Sequence, residues 1–537
     1  MADLIIRNLL DLTKFERSLV AYLSPKNQNV LSLFIFDPNN VKNHKRFDIT
    51  DVEDFVNNLN DFCKKNVRIF ILNVFGFNHP AYPHNLIFCR KLIETLSLKF
   101  MGFHFVTNEI VTLTSLLIAS NITPRLINDI LIITVQENVL NVVELQGLNE
   151  FWIVNRKSVS YEEDKYDPKM LCKEILLNVT PLKILLLNMK STPKRDKMVA
   201  TLKSEFPAKQ LVVFENFKWD ACKTISELTK SCDSPTSSPY LITPQSCRCF
   251  VVGKYNKEKG FCKDDILMNF DVDIDVPEMG CSDRSRKVSR RHKQFYIGVL
   301  NPDKETGFMM PPVDAPKEKC HRYKLYLEIN QNNDPYLETS GIMLEQIEQL
   351  PLTLTKTVKT KVPVIEFFDN SSVICIWSEK KNCFEFSKQW NGVYGKDLFL
   401  SFEDATPRFT NKFAKKQSFV VYDILTILAT PADEIKVNSD WEFKVIKDAN
   451  NEESSILLEY DTFFGTRSAS TPDELMEVLL KEHLKVIKNE SGLDPTSLGL
   501  CISICCWFSP KRKKILQKKL NEICKNLKVD TEFIKFC

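Results

Sequence analysis

Residues Ile130–Leu145, ILIITVQENVLNVVEL, constrain the fold of this chain more than any other stretch. Two apolar runs rich in β-branched residues flank the polar triplet Gln136-Glu137-Asn138. The pattern predicts a buried strand, a tight turn and a second strand. Glycine lets a turn take positive φ and approach an anion closely, and this turn has none. The whole chain holds 14 glycines in 537 residues, well under half of the ~7 % usual in globular proteins.

The length predicts about three or four domains. With 44 % apolar and 26 % charged residues the chain reads as globular, not disordered. Its net charge of +3 is too balanced to point to nucleic acid or a membrane. No apolar run reaches the ~18 residues that span a bilayer, and MADLIIRNLL lacks the long apolar core of a signal peptide. The 17 cysteines, an odd number at irregular spacings, then favour reduced thiols and a cytoplasmic location, with the nucleus as second choice. Cys247-Arg248-Cys249 has no second Cys/His pair at zinc-finger spacing, so no metal site is expected.

A helix–strand–helix pattern occurs near both ends. Thr50-Asp51-Val52-Glu53 reads as a capping box, followed by Val52, Phe55, Val56, Leu59 and Phe62 on one helical face. A strand (Val67–Phe75) and a second helix (Leu86–Leu98) come next. Thr471-Pro472-Asp473-Glu474 is another capping box, with proline at the first helical position. It leads to a strand (Leu498–Phe508) and a helix opened by Ser509-Pro510, whose buried stripe is Leu516, Leu520, Ile523 and Leu527. Strand-like runs, Asn29–Phe36 and Ser454–Tyr460, precede the two patterns.

Both patterns resemble the first lobe of the ATPase domain of the 70-kDa heat-shock chaperones. Val67–Asn78 is similar to the strand ending in the family's V-P-A-Y-F-N-D turn, and Phe103–Ala119, with Asn108-Glu109, to its I-N-E-P-T-A-A-A-L-A segment. Asp440–Val445 resembles H-W-P-F-x-V, and Trp507-Phe508 stands at the Y-F position. Ile130–Leu145 resembles the segment in which an acid, a run of glycines and a threonine cradle phosphate; here those positions hold Thr134, Gln136, Glu137, Asn138 and Val139. Leu182–Pro193 resembles the V-G-G-S-T-R-I-P adenosine loop, with Asn188 and Met189 at the glycine positions, and Trp219–Leu228 the helix after it. The family's D-L-G-T-T strand has no clear counterpart; Ile297–Gly307, with Asn301-Pro302, is its nearest echo. Altered at three loops, the scaffold implies lost nucleotide chemistry.

Cys232–Pro239 reads as a linker, and 240–330 as strand-like runs around a basic run, Arg284–Lys293. That run reads as a solvated loop, with a nuclear signal or an anionic-partner patch as alternatives. From Tyr336 the pattern turns all-β. Leu337–Met343, Asp369-Asn370 with Val373, Cys375 and Trp377, Asn391–Arg408 and Ser418–Leu428 resemble, in order, strands of the family's substrate-binding β-sandwich. The likeness implies Thr339, Ser340, Gly341, Ile342 and Met343 as peptide-groove residues, binding through backbone hydrogen bonds and apolar pockets; Ile342 and Met343 also suit a core.

The expected fold is therefore α/β plus all-β: eroded actin-like ATPase (ribonuclease H-like) lobes with a β-sandwich resembling a substrate-binding domain. Residues 1–230 form the ATPase-like unit, 231–335 an irregular β-containing segment, 336–436 the sandwich and 437–537 a second partial lobe. The implied function is that of a chaperone-like pseudo-ATPase binding unfolded or extended polypeptide, with co-chaperones as further partners. No cofactor is expected; ATP and magnesium enter only if the family activity survives. An ATP-binding chaperone with slow hydrolysis and a non-catalytic scaffold are the alternatives. His79 and His84 lie in a Pro-rich loop, and no G-x-S-x-G, C-x-x-C or H-E-x-x-H context supports other catalysis.

Overall fold

The computed structural model describes residues 18–63, 66–98, 102–124, 129–162, 166–176, 179–233, 238–257, 260–276, 281–302, 305–410, 417–438, 440–447, 456–502 and 509–534. Strand β1 (Leu19–Pro25) is apolar on both faces because it lies in the middle of a sheet covered by helices on both sides. Around it stand β2 (Leu31–Asp37), β3 (Asn40–Ile49), β4 (Val67–Leu72) and β5 (Gly102–Phe105), in the order β3-β2-β1-β4-β5. β1, β2 and β3 form an antiparallel meander, and β4 and β5 run parallel to β1. Helices α1 (Val52–Cys63) and α2 (Asn85–Ser97) make the crossovers, and α3 (Asn108–Ser120) follows β5 and leads to the second unit. Leu19, Ala21 and Leu23 face α1 and α2, whereas Val20 and Tyr22 face α3. The cap of α1 is Asp51, whose Oδ1 accepts from the Asp54 amide at 3.0 Å, not Thr50 as the sequence pattern suggests. Two adjacent capping residue types compete there, and the helix starts one residue later.

The second unit repeats the arrangement. Strands β6 (Asp129–Val135), β7 (Val139–Gly147), β8 (Phe151–Ser160), β9 (Lys183–Asn188) and β10 (Leu211–Glu215) stand in the order β8-β7-β6-β9-β10 with the same directions. Its helices are α4 (Pro168–Leu176), α5 (Pro193–Glu205) and α6 (Ala221–Asp233). Leu131, Ile133 and Val135 pack beneath α4 and α5. Ile130 and Ile132 point the other way, into a core shared with Val20, Ile69 and Ile71 of the first sheet. Helices α3 and α6 contribute Leu113, Leu117, Ile225 and Leu228 to it. The two units are thus one hydrophobic body.

The segment expected over 231–335 as linker and irregular β-containing chain instead supplies, with the strand that runs on to Ile342, two sheets on a single core. Strands β11 (Cys249–Lys254), β12 (Ile266–Phe270), β14 (Gln294–Leu300) and β15 (Gly307–Met309) make one, with β16 (Val313–Asp314) also on β14. Strands β13 (Cys281–Ser289), β17 (Arg322–Asn330) and β18 (Pro335–Ile342) make the other, with β18 at its edge. Phe250, Phe295 and Ile297 meet Leu325, Leu327 and Ile329 between them, and Leu86 of α2 enters the same cluster. We call this the β-layer. The Ile297–Gly307 stretch is its β14–β15 hairpin.

The all-β stretch expected over 336–436 divides differently. Its first strand, β18, belongs to the β-layer. After the short helices α7 (Glu345–Glu348) and α8 (Leu350–Thr357) come β19 (Val364–Phe368), β20 (Ser371–Ser378) and β21 (Cys383–Phe386). An insert follows, of β22 (Lys396–Asp397), β23 (Phe399–Ser401), β24 (Arg408–Thr410), β25 (Val420–Val421), α9 (Ile424–Leu428), β26 (Lys444–Lys447), β27 (Ile456–Asp461) and β28 (Arg467–Ser470). Helix α10 (Pro472–Ser491), β29 (Ser497–Ile502), α11 (Pro510–Asn526) and β30 (Asp530–Phe533) close the unit. β29 pairs parallel with β19, giving the order β21-β20-β19-β29-β30: the first unit's order a third time. The boundary expected at 436/437 therefore runs through one unit. Apolar runs and period-two alternation do not say which strand a strand pairs with. The capping box at Thr471 and Glu474 is present, and Gly492, at φ 77, ends α10; Trp507-Phe508 lies outside the described residues.

Under α10, a polar chain is sealed in the third unit's core. Trp390 Nε1–H donates to Ser372 Oγ at 3.0 Å, and Ser372 Oγ lies 2.8 Å from His483 Nε2. His483 Nδ1 lies 2.6 Å from the Leu479 carbonyl, so the ring is neutral, donating at Nδ1 and accepting at Nε2. Burial lowers the pKa of His483 to about 4, and that of His104 in β5 likewise.

Two predictions follow from this packing. Ile132→Ala should cost about 2–5 kcal/mol, and hydrogen exchange should show β1 and β6 losing protection together, since they share a core. Because the folded-state pKa of His483 and His104 lies below the ordinary ~6.5, stability is fully present above that value. It falls as the pH drops toward about 4, by up to about 1.4 kcal/mol per pH unit for each histidine. Urea unfolding at a series of pH values checks this; His483→Gln should shallow the slope.

Candidate functional site

Each unit turns its first strand into its second at the same end of its sheet, and the three hairpins meet different surroundings. In the second unit the hairpin and the β9–α5 loop come together, as the sequence suggests. Thr134 is half-buried at the end of β6, Gln136, Glu137 and Asn138 are exposed, and Val139 starts β7. The Gln136 amide donates to the Val139 carbonyl at 3.0 Å, and Tyr161 Oη donates to the Gln136 carbonyl at 2.6 Å. None of the three turn residues has positive φ, so successive amides do not converge into an anion-binding nest.

The loop opposite closes onto this turn. Thr192 caps α5, accepting from the Arg195 amide, and donates through Oγ1 to Glu137 Oε1 at 3.2 Å. Arg195 Nε lies 3.3 Å from the same carboxylate, and Lys194 Nζ donates to Asn138 Oδ1 at 2.5 Å. Asn188 is buried and donates to Asp196 Oδ1 at 2.9 Å, while Met189 is exposed. A carboxylate thus meets the side chains at the positive end of α5.

The first unit's hairpin borders an open cleft of about 830 Å³, lined by Tyr22, Lys26, Arg46, Asn73, Asn108 and Trp219 among others. Asn73 Nδ2 donates to Tyr22 Oη at 2.8 Å, and the Tyr22 and Trp219 rings meet edge-on across the two units. Burial raises the Tyr22 pKa, with the Asn73 hydrogen bond opposing it. Lys26 pairs with Asp48, and the Arg46 guanidinium lies over Phe34. Glu109 faces elsewhere: Arg156 of β8 holds both its oxygens at 2.8–3.1 Å.

In the third unit, Asp369, at φ 48, turns β19 into β20. Arg322 of β17 grips its two oxygens at 2.6 and 2.9 Å. Asn370 Oδ1 accepts from the Asp423 amide at 2.9 Å. This hairpin, which the resemblance places in a β-sandwich, occupies the position in the third unit that Gln136–Asn138 holds in the second.

The groove candidates lie on β18 and just past it. Thr339, Ser340, Gly341 and Ile342 are half-buried in register with Leu325, Lys324, Tyr323 and Arg322, and Met343 follows them, also half-buried. The outward edge is partly capped by the chain itself: the Gly341 amide donates to Glu318 Oε1 at 3.0 Å, and Thr339 Oγ1 to the Asp314 carbonyl at 3.2 Å.

The basic run is where sequence reading missed most. Arg290 and Arg291 are largely buried in ion pairs with Asp397, Asp423 and Asp440 of the third unit. Their partners lie more than a hundred positions away, so spacing carries no signal of them. Burial pushes the Asp440 carboxyl up, but Lys254 and Arg291 outweigh it and hold it below the usual carboxylate range. Among the described residues no group of three metal-ligating side chains converges, and no helix is long and apolar enough to cross a membrane. No protein-family model matches the chain, and no curated protein sequence matches it.

The Glu137 contacts are solvent-exposed on the carboxylate side, so they should contribute little to stability. Glu137→Ala should lower it by less than about 1 kcal/mol, measured by urea unfolding, whereas Arg322→Ala, which strands the mostly buried Asp369, should cost about 3–5 kcal/mol.

Proposed function

We propose that this chain is a non-catalytic, polypeptide-binding relative of the 70-kDa heat-shock chaperones, built on eroded actin-like ATPase units. The observation that carries the reading is the pair of closed hairpins. In the second and third units the turn where such an ATPase would hold phosphate presents a carboxylate, Glu137 or Asp369, met by Arg195 or Arg322. The threefold recurrence of one strand order supports the scaffold.

The residues present do not fit magnesium-ATP. In the second unit the turn offers no positive-φ backbone and places a negative charge where phosphate would sit. In the cleft of the first unit, Asp48 is paired with Lys26, and Glu109 faces away from the cleft, held by Arg156. No hydrolytic step is therefore derived. Polypeptide would be taken at the edge of the β-layer. There β18 offers backbone groups to an added strand, beside the exposed Tyr336, once the Glu318 carboxylate leaves the Gly341 amide.

One observation favours a second reading, an ATP-binding chaperone that hydrolyses slowly: the first unit's cleft is open and large enough for a nucleotide. The capped β18 edge favours a third, a scaffold that has lost its groove. Calorimetry with ATP and ADP in magnesium, and anisotropy with a labelled extended apolar heptapeptide, separate the three. The proposed function expects no nucleotide heat and micromolar peptide binding that tightens in Glu318→Ala. Nucleotide binding would give the second reading; neither binding would give the third.

A further inference from the structure

We infer that the β-layer and the third unit meet at a charge-operated joint, from which the third unit undocks as a rigid body. Buried apolar clusters hold each body together but none crosses this contact. The β-layer cluster draws on residues from Phe250 to Leu337 together with Leu86, and both clusters of the third unit begin at Leu344 or beyond. The first two units, by contrast, share a core.

Charge fills the place of that missing core. Arg290 Nε lies 2.9 Å from Asp397, and Arg291 reaches Asp423 and Asp440, each at 2.9 Å. Lys254 adds a 2.7 Å pair to Asp440, and Arg322 holds Asp369. All eight side chains are 12–21 % exposed. Every cation comes from the β-layer and every one of these aspartates from the third unit, so the two faces carry opposite charge. Arg290 also donates to the Tyr394 carbonyl, and His321, neutral, lies 2.7 Å from the Val393 carbonyl through Nε2 and accepts the Leu344 amide at Nδ1. These contacts are polar and directional, and two ring contacts accompany them, His321 edge-on to Phe368 and the Arg291 guanidinium over Tyr422. Separation would let water hydrate ions and carbonyls without exposing a shared apolar core, the condition under which two bodies part without unfolding.

The strands within each body use other residues for their cores, so reversing charge at the clasp should leave both folded. It should also bring like charges together at partly desolvated positions, where removing even one partner is strongly unfavourable.

The test is small-angle scattering on the full chain. Arg290→Glu/Arg291→Glu should raise the radius of gyration by several ångströms. Hydrogen exchange should meanwhile keep wild-type protection in β14, β19 and β29. Exchanging the charges of one pair, Arg291→Asp with Asp423→Arg, should bring the radius back toward the wild-type value relative to Arg291→Asp alone. An unchanged radius in the double variant would overturn the inference. So would loss of β19 and β29 protection together with the clasp, since docking would then be part of folding.

Discussion

The architecture depends on burying one strand from both sides. β1, β6 and β19 each lie third in a five-strand path, flanked by an antiparallel meander and a parallel pair. A strand in that position is largely apolar on both faces: Leu19–Leu23 and Ile130–Ile133 are, and Val364–Phe368 is but for the buried Glu366. The helical crossovers follow, because parallel neighbours need connections that lie over the sheet. What differs between the units is what covers the second face. In the first two it is the partner unit, through α3 and α6; in the third, Val364 and Phe368 pack beneath α7 and α8, with Leu344, Ile347, Leu350 and Leu354.

Local features were legible in the sequence. The hairpin at Gln136–Asn138, the capping box at Thr471, the helix opened by Ser509 and the strand at Val67 all stand where pattern places them, because short-range physics fixes each of them. The nearness of Glu137 to the β9–α5 loop was legible only by resemblance. Long-range pairing was not: β19 reads as a strand, but nothing local says that its parallel neighbour begins at Ser497. Reading 336–436 as one sandwich merged the last strand of the β-layer with β19 to β25 of the third unit. All of them are apolar and short, and their faces look alike until the register is known.

Charged residues were the least legible. A run with several arginines reads as solvated because isolated charges belong in water. Arg290 and Arg291 are buried because aspartates distant in sequence converge on them, and such complementarity exists only in three dimensions. The same logic explains the hairpins. A turn without glycine that carries an acid is a poor anion cradle, yet it makes a sound structural contact when a guanidinium faces it.

The insert between β21 and α10 has a consequence for how the protein is made. β19 leaves the ribosome with β20 to cover one edge, but its other edge waits for β29, which begins at Ser497. At about 5–20 residues per second the gap lasts roughly ten seconds. Throughout it a strand of Val364, Ile365, Phe367 and Phe368 has an unpaired edge. The nascent third unit therefore needs shelter during its own synthesis, and its β19 edge is the place where a stalled or truncated chain would begin to aggregate.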